Sequence, residues 1–238
     1  MERLIEDKNE VFTNPYPAPF FAFEGIDFCG KSTQMARAAN YLRVQFQKKC
    51  NVVLTKEPTN EPPFGKKIRE ILADKDLFAA THRLELQMLF AKDSRYHCEN
   101  VILPVLARGD IVLTDRFRHS SCVYGAQKWN FLEIHMLMGM NQGCLGEYFV
   151  WPDCSFIFDL PAEIAFFRGL ERAKKTGQKL DEMEKMETME RVKNNFYLFA
   201  QIYPDCHIID ADRTEEEIFV DVRNLLNETL IKKGWMQK

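Results

Sequence analysis

The sequence predicts an α/β domain in which a parallel sheet of five strands is flanked by helices on both faces. Three features predict it: apolar runs of strand length recur, segments with helical spacing separate them, and a glycine-rich turn directly follows the first run. Strands that alternate with helices pair in parallel, because each helix carries the chain back across the sheet. Ligands of such sheets bind beyond the carboxyl ends of the strands, so we expect the chemistry there.

The five predicted strands are apolar almost throughout, which is typical of strands buried on both faces. In chain order they are FFAFE (20–24), NVVLT (51–55), IVLTD (111–115), SFIFDL (155–160) and HIID (207–210). A helix is predicted before the last strand, where apolar residues recur every three or four positions. These residues are Met189, Val192, Phe196, Phe199 and Tyr203. Thr214 followed by Glu217 is typical of a capping box, so the final helix is expected to begin there.

Length and composition fit one soluble domain, since the 238 residues are 46% hydrophobic and 28% charged. We expect residues 1–19 to form an N-terminal extension, 20–232 the main domain and 233–238 a C-terminal tail. A net charge of -3 argues against a protein that coats nucleic acid. No apolar stretch approaches the roughly 18 residues of a membrane span. The seven scattered cysteines lack metal-binding spacing, which favours free thiols in a reducing, cytoplasmic compartment.

The turn after the first strand, residues 25–32, matches the phosphate-binding pattern G-x-x-x-x-G-K-[ST]. Its glycines let successive backbone N–H groups point inward around a phosphate, and the following helix presents its positive end to the same group. Lys31 would contact the β and γ phosphates, and the Ser32 hydroxyl would ligate Mg²⁺. The loop therefore predicts ATP and Mg²⁺. The predicted ATP-binding residues are Gly25, Ile26, Asp27, Phe28, Cys29, Gly30, Lys31, Ser32 and Thr33.

Asp115 and Arg116 close the third predicted strand, beside the phosphate loop. A carboxylate there can hold a water bound to Mg²⁺, so Ser32 and Asp115 are the predicted metal residues. Arg116 adds a planar set of donors suited to phosphate oxygens.

Four stretches resemble the thymidylate kinases, a family of nucleoside-monophosphate kinases, and the resemblance extends from about residue 20 to about residue 230. They are FEGIDFCGKSTQ, KEP with GKKIREIL, LFAKDSRYHCENVILPVLARGDIVLTDRFRHSS, and RVKNNFYLFA leading to IIDA. The resemblance implies a three-layer P-loop fold with a basic lid. It also implies an enzyme that moves the γ-phosphoryl group of ATP to dTMP for dTTP synthesis, commonly as a homodimer.

By the same resemblance, Asp27 faces the 3′-hydroxyl of the acceptor sugar, while Arg69 and Arg116 hold the acceptor phosphate. Phe90 stacks on the thymine ring and Arg95 donates hydrogen bonds to it. The wall of the base pocket falls on Ser120, Ser121 and Tyr124.

The lid departs from the family pattern. Family members carry an arginine either in the phosphate loop, just after its acidic residue, or after a Leu-Asp pair in the lid; this chain has Phe28 and Glu182 there. A basic run follows the fourth strand instead, inside a lid expected at about residues 168–187. Arg168 and Arg172, four positions apart on one helix face, are the predicted transition-state cations. The predicted mobile charges of the lid are Lys174, Lys175 and Lys179. The residues predicted to be catalytic are Lys31, Arg116, Asp27, Arg168 and Arg172.

Two other functions fit parts of the sequence. A kinase for dUMP, a modified pyrimidine monophosphate or a nucleoside would share the phosphate loop and differ at Phe90, Arg95 and Gly125. A non-enzymatic ATP-binding switch would share the loop without needing a second set of phosphate-directed arginines. Slow ATP hydrolysis indifferent to every monophosphate would indicate the switch.

Overall fold

The computed structural model describes residues 11–47, 49–127, 130–177 and 182–237. Its centre is a five-stranded sheet in the order β2-β3-β1-β4-β5, with every neighbouring pair parallel. The strands are β1 (Phe20–Gly25), β2 (Val52–Lys56), β3 (Ile111–Asp115), β4 (Cys154–Asp159) and β5 (Cys206–Asp210). All five predicted strands are confirmed, and their ends lie within one residue of those predicted.

Helices cover the sheet. They are α1 (Lys31–Gln45), α2 (Gly65–Ala73), α3 (Lys75–Ala80), α4 (Arg83–His97), α5 (Leu103–Ala107), α6 (Arg118–Gly125), α7 (Phe131–Leu145), α8 (Ala162–Thr176), α9 (Met186–Ile202) and α10 (Glu215–Lys232). A π-helical turn, Cys98–Ile102, joins α4 to α5, and a 3-10 turn, Glu182–Glu184, precedes α9. None of the described helices has the length and apolar character needed to cross a membrane.

The interior and edge strands differ in burial. β1, β3 and β4 are buried along almost their whole length. In the described part of the chain, β2 and β5 each have one neighbouring strand, and Leu54 and Ile208 on them are exposed. The prediction that all five strands are buried on both faces is therefore wrong for β2 and β5, because an edge strand can bury less of its surface.

Two predicted helices are confirmed. The five apolar residues predicted to line one helix face are buried, four of them in α9 and Tyr203 immediately after it. The capping box at the start of α10 is also present: the Thr214 hydroxyl accepts from the Glu217 backbone N–H, and the Glu217 carboxylate accepts from the Thr214 backbone N–H. Each bond satisfies a donor that the first helical turn leaves without an intrahelical partner.

The described residues nearest each end of the chain pack on the domain. Phe12 is buried, and its ring meets that of Trp151 edge to face at 4.8 Å. Near the other end, the Trp235 indole donates to the carbonyl of Pro17 at 2.8 Å, and Lys233 Nζ lies 2.7 Å from the Asp153 carboxylate. The described part of the predicted extension, together with residues 233–235, thus contributes to the folded domain.

Candidate active site

The phosphate loop follows β1, at the carboxyl edge of the sheet. Gly25 has φ 135°, and a Cβ there would lie 2.7 Å from the Phe158 carbonyl oxygen on β4, so only glycine fits. Gly30 has φ 95° and lets the chain turn into α1. The Lys31 side chain is buried, and its Nζ donates to the carbonyls of Gly25 and Ile26 at 3.2 and 2.7 Å. The lysine ammonium group is therefore held inside the loop.

Ser32 and Asp115 come together across the loop. The Ser32 hydroxyl, on the first turn of α1, donates to the Asp115 carboxylate at 3.0 Å. Asp115 ends β3, which pairs directly with β1. Hydroxyl and carboxylate oxygens are the ligands Mg²⁺ prefers, and this ion binds through one or two protein groups together with substrate phosphates. The two predicted metal residues therefore fit Mg²⁺ in both chemistry and position.

Asp27, Arg116 and Tyr124 form one hydrogen-bonded group on the other side of the loop. The Arg116 guanidinium donates to Asp27 at 2.8 Å, to the Gly25 carbonyl at 2.9 Å and to the Tyr124 hydroxyl at 3.1 Å. The Tyr124 hydroxyl donates to the second Asp27 oxygen at 3.0 Å. Burial acts to raise the pKa of Asp27, but the charges of Arg116 and Lys31 outweigh it and hold that pKa below its usual value.

Glu24, buried on β1, supports this hydrogen-bonded group and was not predicted as a site residue. Its carboxyl group is fully buried and accepts from the Phe117 backbone N–H at 2.8 Å and from the Ser120 hydroxyl at 2.5 Å. The Ser120 oxygen in turn accepts from Arg116, whose backbone adopts the left-handed φ of 65°. Burial raises the pKa of Glu24 to about 8. The sequence did carry a signal: Glu24 is a single charged residue in an otherwise apolar strand.

A cavity of about 300 Å³ opens beside the loop. Its lining residues are Asp27, Lys56, Glu57, Pro58, Arg69, Leu72, Phe90, Asp115, Arg116, Phe117, Ser120, Ser121, Tyr124 and Met183. Seven of the eight predicted substrate-binding residues are among them; Arg95 is the exception. The cavity is large enough for a nucleobase and its sugar.

Arg69 enters the cavity from α2. Its guanidinium donates to the Thr59 carbonyl at 3.1 Å and also to the Pro58 carbonyl. Thr59 is fixed in turn by the buried Asp93 carboxylate, which accepts from the Thr59 backbone N–H at 2.7 Å and from its hydroxyl at 2.6 Å. The loop after β2 thus holds an arginine at the wall of the cavity.

The predicted placement of Arg95 is wrong. Its guanidinium donates to the Cys144 carbonyl at 3.0 Å and lies over the Tyr148 ring, away from the cavity. Residues four apart share a helix face, so Ser94, not Arg95, follows Phe90 on the inner face of α4. Ser94 is buried. Applying the helical period from Phe90 would have revealed this from sequence.

Two further residues were missed, one that lines the cavity and one that packs against Gly125 at the end of α6. Met183, in the 3-10 turn after α8, lines the cavity and packs in the apolar cluster that includes Leu72 and Phe90. Gln87 lies about one helical turn before Phe90 and is buried against Gly125. A Cβ added at Gly125 would lie 2.6 Å from the side-chain oxygen of Gln87. Neither contact has a local sequence signal, because each joins segments far apart in the chain.

The basic run lies on α8, after β4. Arg168 and Arg172 are exposed on that helix, and the Arg172 guanidinium carbon lies 5.7 Å from the centre of the Phe28 ring. Lys174 and Lys175 are exposed in the last turn of the helix. Lys179 lies outside the described residues. The structure therefore brings Arg172 next to the phosphate loop and leaves Arg168 one turn earlier on the same helix.

Comparison with known proteins gives consistent matches to one family. The thymidylate kinase family profile matches residues 23–222. A thymidylate kinase from Dinoroseobacter shibae is 36% identical over 212 residues, covering 87% of this chain and 95% of the relative. A probable thymidylate kinase from Thermococcus gammatolerans is 33% identical over 221 residues, covering 89% and 97%.

A solved structure gives the same picture at the level of the fold. The crystal structure of thymidylate kinase from Ehrlichia chaffeensis superposes with a TM-score of 0.65 at 27% identity, covering 88% of this chain and 98% of that one. With the family profile spanning most of the chain and relatives above 30% identity aligned over nearly their full length, this protein belongs to the thymidylate kinase family.

Proposed function

We propose that this protein transfers the γ-phosphoryl group of ATP to dTMP, giving ADP and dTDP for dTTP synthesis. The observation that carries the proposal is the junction of two spaces: the cavity of about 300 Å³ opens directly against the phosphate loop. Asp27 belongs to the loop and also lines the cavity, and Arg116 bonds to the loop while lining the same cavity. A donor triphosphate and an acceptor monophosphate would therefore meet at these two residues.

The loop side of the site would hold ATP. Backbone N–H groups of residues 25–33 would surround the β phosphate, and Lys31 would exchange its two carbonyl partners for β and γ oxygens. Ser32 and Asp115 would hold Mg²⁺, which when bound neutralises charge on the transferring phosphoryl group. Everything these residues do is binding and orientation, and no covalent enzyme intermediate is required.

The cavity side would hold dTMP. A monophosphate dianion approaching a triphosphate is repelled, and Arg69 and Arg116 supply two fixed positive charges against that repulsion. Asp27, ionised because its pKa is lowered, would accept a hydrogen bond from the 3′-hydroxyl. Phe90 would stack on the base, with Ser120, Ser121 and Tyr124 as the facing wall.

The lid would complete the site. Developing charge on the transferring group needs donors that are in place before the reaction, and water must be kept out. We assign the first task to Arg168 and Arg172, since the loop position used by other family members holds Phe28. Met183 already contacts the acceptor cavity from the segment that follows α8.

Release of ADP, coupled to an indicator reaction, tests the proposal against a panel of nucleoside monophosphates and nucleosides. The highest kcat/KM is expected with dTMP, and Lys31→Ala should abolish the signal with every acceptor. A preference for dUMP or for a nucleoside would assign the protein to another phosphotransferase class. ATP hydrolysis at one slow rate whatever the acceptor would support the switch and overturn the kinase.

We further propose that the enzyme acts as a homodimer in a reducing cytoplasm. Apolar side chains exposed on the adjacent helices α4 and α7 support the dimer, among them Leu84, Phe131, Leu132 and Met136. All seven cysteines are free thiols, which supports the reducing compartment. Light scattering coupled to size-exclusion chromatography would give about twice the mass of one chain for a dimer and the mass of one chain for a monomer.

A further inference from the structure

The phosphate loop contacts α8, which we call the lid helix because it carries the basic run. The phosphoryl transfer proposed above does not require this contact. Phe28 adopts a left-handed backbone conformation, φ 62°, which few residues other than glycine adopt. Its ring packs on α8 at Gly169, where an added Cβ would lie 2.5 Å from ring atom Cε2 and 2.8 Å from Cδ2. Only a glycine leaves room for the ring. A strained aromatic in the loop and a glycine in the helix thus form one close contact.

Arg172 lies next to this contact. It follows Gly169 by three positions, nearly one turn, and its guanidinium carbon is 5.7 Å from the ring centre. An arginine within about 6 Å of a ring centre is attracted to its negative face. Among the described residues, no carboxylate pairs with the Arg172 guanidinium. Attraction to a ring holds the cation in place and leaves its N–H donors available to a phosphate.

We propose that Phe28 is a positioning residue that docks the lid helix onto the phosphate loop and orients Arg172 toward the transferring phosphoryl group. The inference rests on the proposed function and extends it to one contact. β1 and β4 are adjacent, with Gly25 paired to Phe158, so the loop and the start of α8 leave the same edge of the sheet side by side. Phe28 bridges them. The loop that holds ATP would then also fix the distance of the lid cation from it.

A double-mutant cycle tests the orienting role. Phe28→Leu keeps an apolar side chain against Gly169 and removes the aromatic face. It should lower kcat for dTMP phosphorylation by roughly three- to thirtyfold, with little change in the KM for dTMP. In an Arg172→Ala background the same change should cost less than about twofold, because the cation is already gone. Phe28→Tyr keeps the face and should retain kcat. Equal losses from Phe28→Leu in both backgrounds would overturn the orienting role.

Hydrogen exchange of the nucleotide-free protein tests the docking without reference to activity. Phe28→Ala and Gly169→Ala should both raise amide exchange in peptides covering α8, one by removing the ring and the other by displacing it. Gly143→Ala on α7 is the matched control, since no described atom lies within 4 Å of a Cβ there. Exchange in α8 should stay at the wild-type level in that variant. Unchanged exchange in both test variants would overturn the docking.

The two experiments separate this inference from the function on which it rests. If wild-type protein phosphorylates dTMP but the cycle is additive and α8 exchange is unchanged, the role of Phe28 is overturned and the kinase stands. If wild-type protein transfers nothing to dTMP, the proposed function and the orienting role both fall, and the exchange experiment still decides the docking.

Discussion

Asp27 is the residue shared most directly by the two halves of the site. It belongs to the phosphate loop, accepts hydrogen bonds from Arg116 and Tyr124, and lines the acceptor cavity. The charges of Arg116 and Lys31 hold its pKa below the usual value against the opposing effect of burial, so it is ionised at neutral pH. An ionised hydrogen-bond acceptor at this position favours a sugar that carries a hydroxyl group there and disfavours a sugar that lacks it.

Selection for the 3′-hydroxyl can be measured with dTMP and its 3′-deoxy analogue. Wild-type kcat/KM should fall on the order of 30-fold on the analogue, the size of a hydrogen bond to a charged group. Asp27→Asn, which keeps the shape of the side chain, should reduce that ratio to about fivefold, as a neutral hydrogen bond would. An unchanged ratio in the variant would show that Asp27 does not contact the sugar.

Glu24 gives a prediction about stability and pH. Burial raises its pKa to about 8 in the folded protein, above the ordinary value of 4.5 expected in the unfolded chain. The folded state therefore binds a proton that the unfolded state releases between these values. Binding of this proton stabilises the folded protein fully below about pH 4.5. Its contribution to the free energy of unfolding, up to about 5 kcal/mol, is lost as the pH rises through about 8.

Urea unfolding of wild type and Glu24→Gln at several pH values tests this. The amide mimics the protonated carboxyl group, so the variant should gain stability relative to wild type as the pH rises from about 5 to about 8. A constant difference for Glu24→Gln would place an ionised carboxylate at residue 24 throughout.

At the scale of elements, α8 carries the basic run to which we assign the lid cation. We propose that its arginines supply the positive charge that the family pattern places in the phosphate loop or in the lid after a Leu-Asp pair. Arg172 lies beside the loop and Arg168 one turn earlier, both exposed. The helix also begins directly after β4, which pairs with β1, so it starts close to the bound triphosphate expected there.

Alanine at each arginine measures this assignment. Turnover of Arg168→Ala and of Arg172→Ala should fall on the order of 10²-fold, the usual loss for a preorganised donor to the transition state. Arg223→Ala, which removes an exposed arginine on α10, should leave turnover unchanged. Normal turnover in both α8 variants would show that the lid cation lies elsewhere.

The elements that sequence could predict are those defined by local patterns. All five strands end within one residue of the predicted ends, because even the partly exposed edge strands are short and mainly apolar, and the capping box predicted the start of α10 directly. The burial of β2 and β5 was misjudged because strand order, which decides the edges, is not a local property. The same distinction applies in the site: the loop is contiguous, while Met183 and Gln87 reach their places through tertiary packing.

Arg95 shows a different kind of error. The family resemblance implied that Arg95 reaches the base, but the inner face of α4 carries Ser94 instead. One position on a helix is a rotation of about 100°, enough to turn the side chain from the cavity to Cys144 and Tyr148. The residues that line the cavity from α4 and α6 are Phe90, Ser120, Ser121 and Tyr124.

For the whole molecule, we propose that one edge of the sheet holds two anionic substrates at once. The loop after β1, the strand end at Asp115 and the cavity bounded by α2, α4 and α6 all lie at the carboxyl ends of β1, β2 and β3. Parallel pairing places these ends together, which explains why residues from distant parts of the sequence form one site. We expect direct transfer from this arrangement, because donor and acceptor would need no shuttle between them.

Tracing the label from γ-labelled ATP in the presence of dTMP tests this arrangement. The label should appear in dTDP in a one-to-one ratio with the ADP formed, and Arg116→Ala should lower this transfer and raise the KM for dTMP. Label recovered in inorganic phosphate at a rate that dTMP does not change would contradict it.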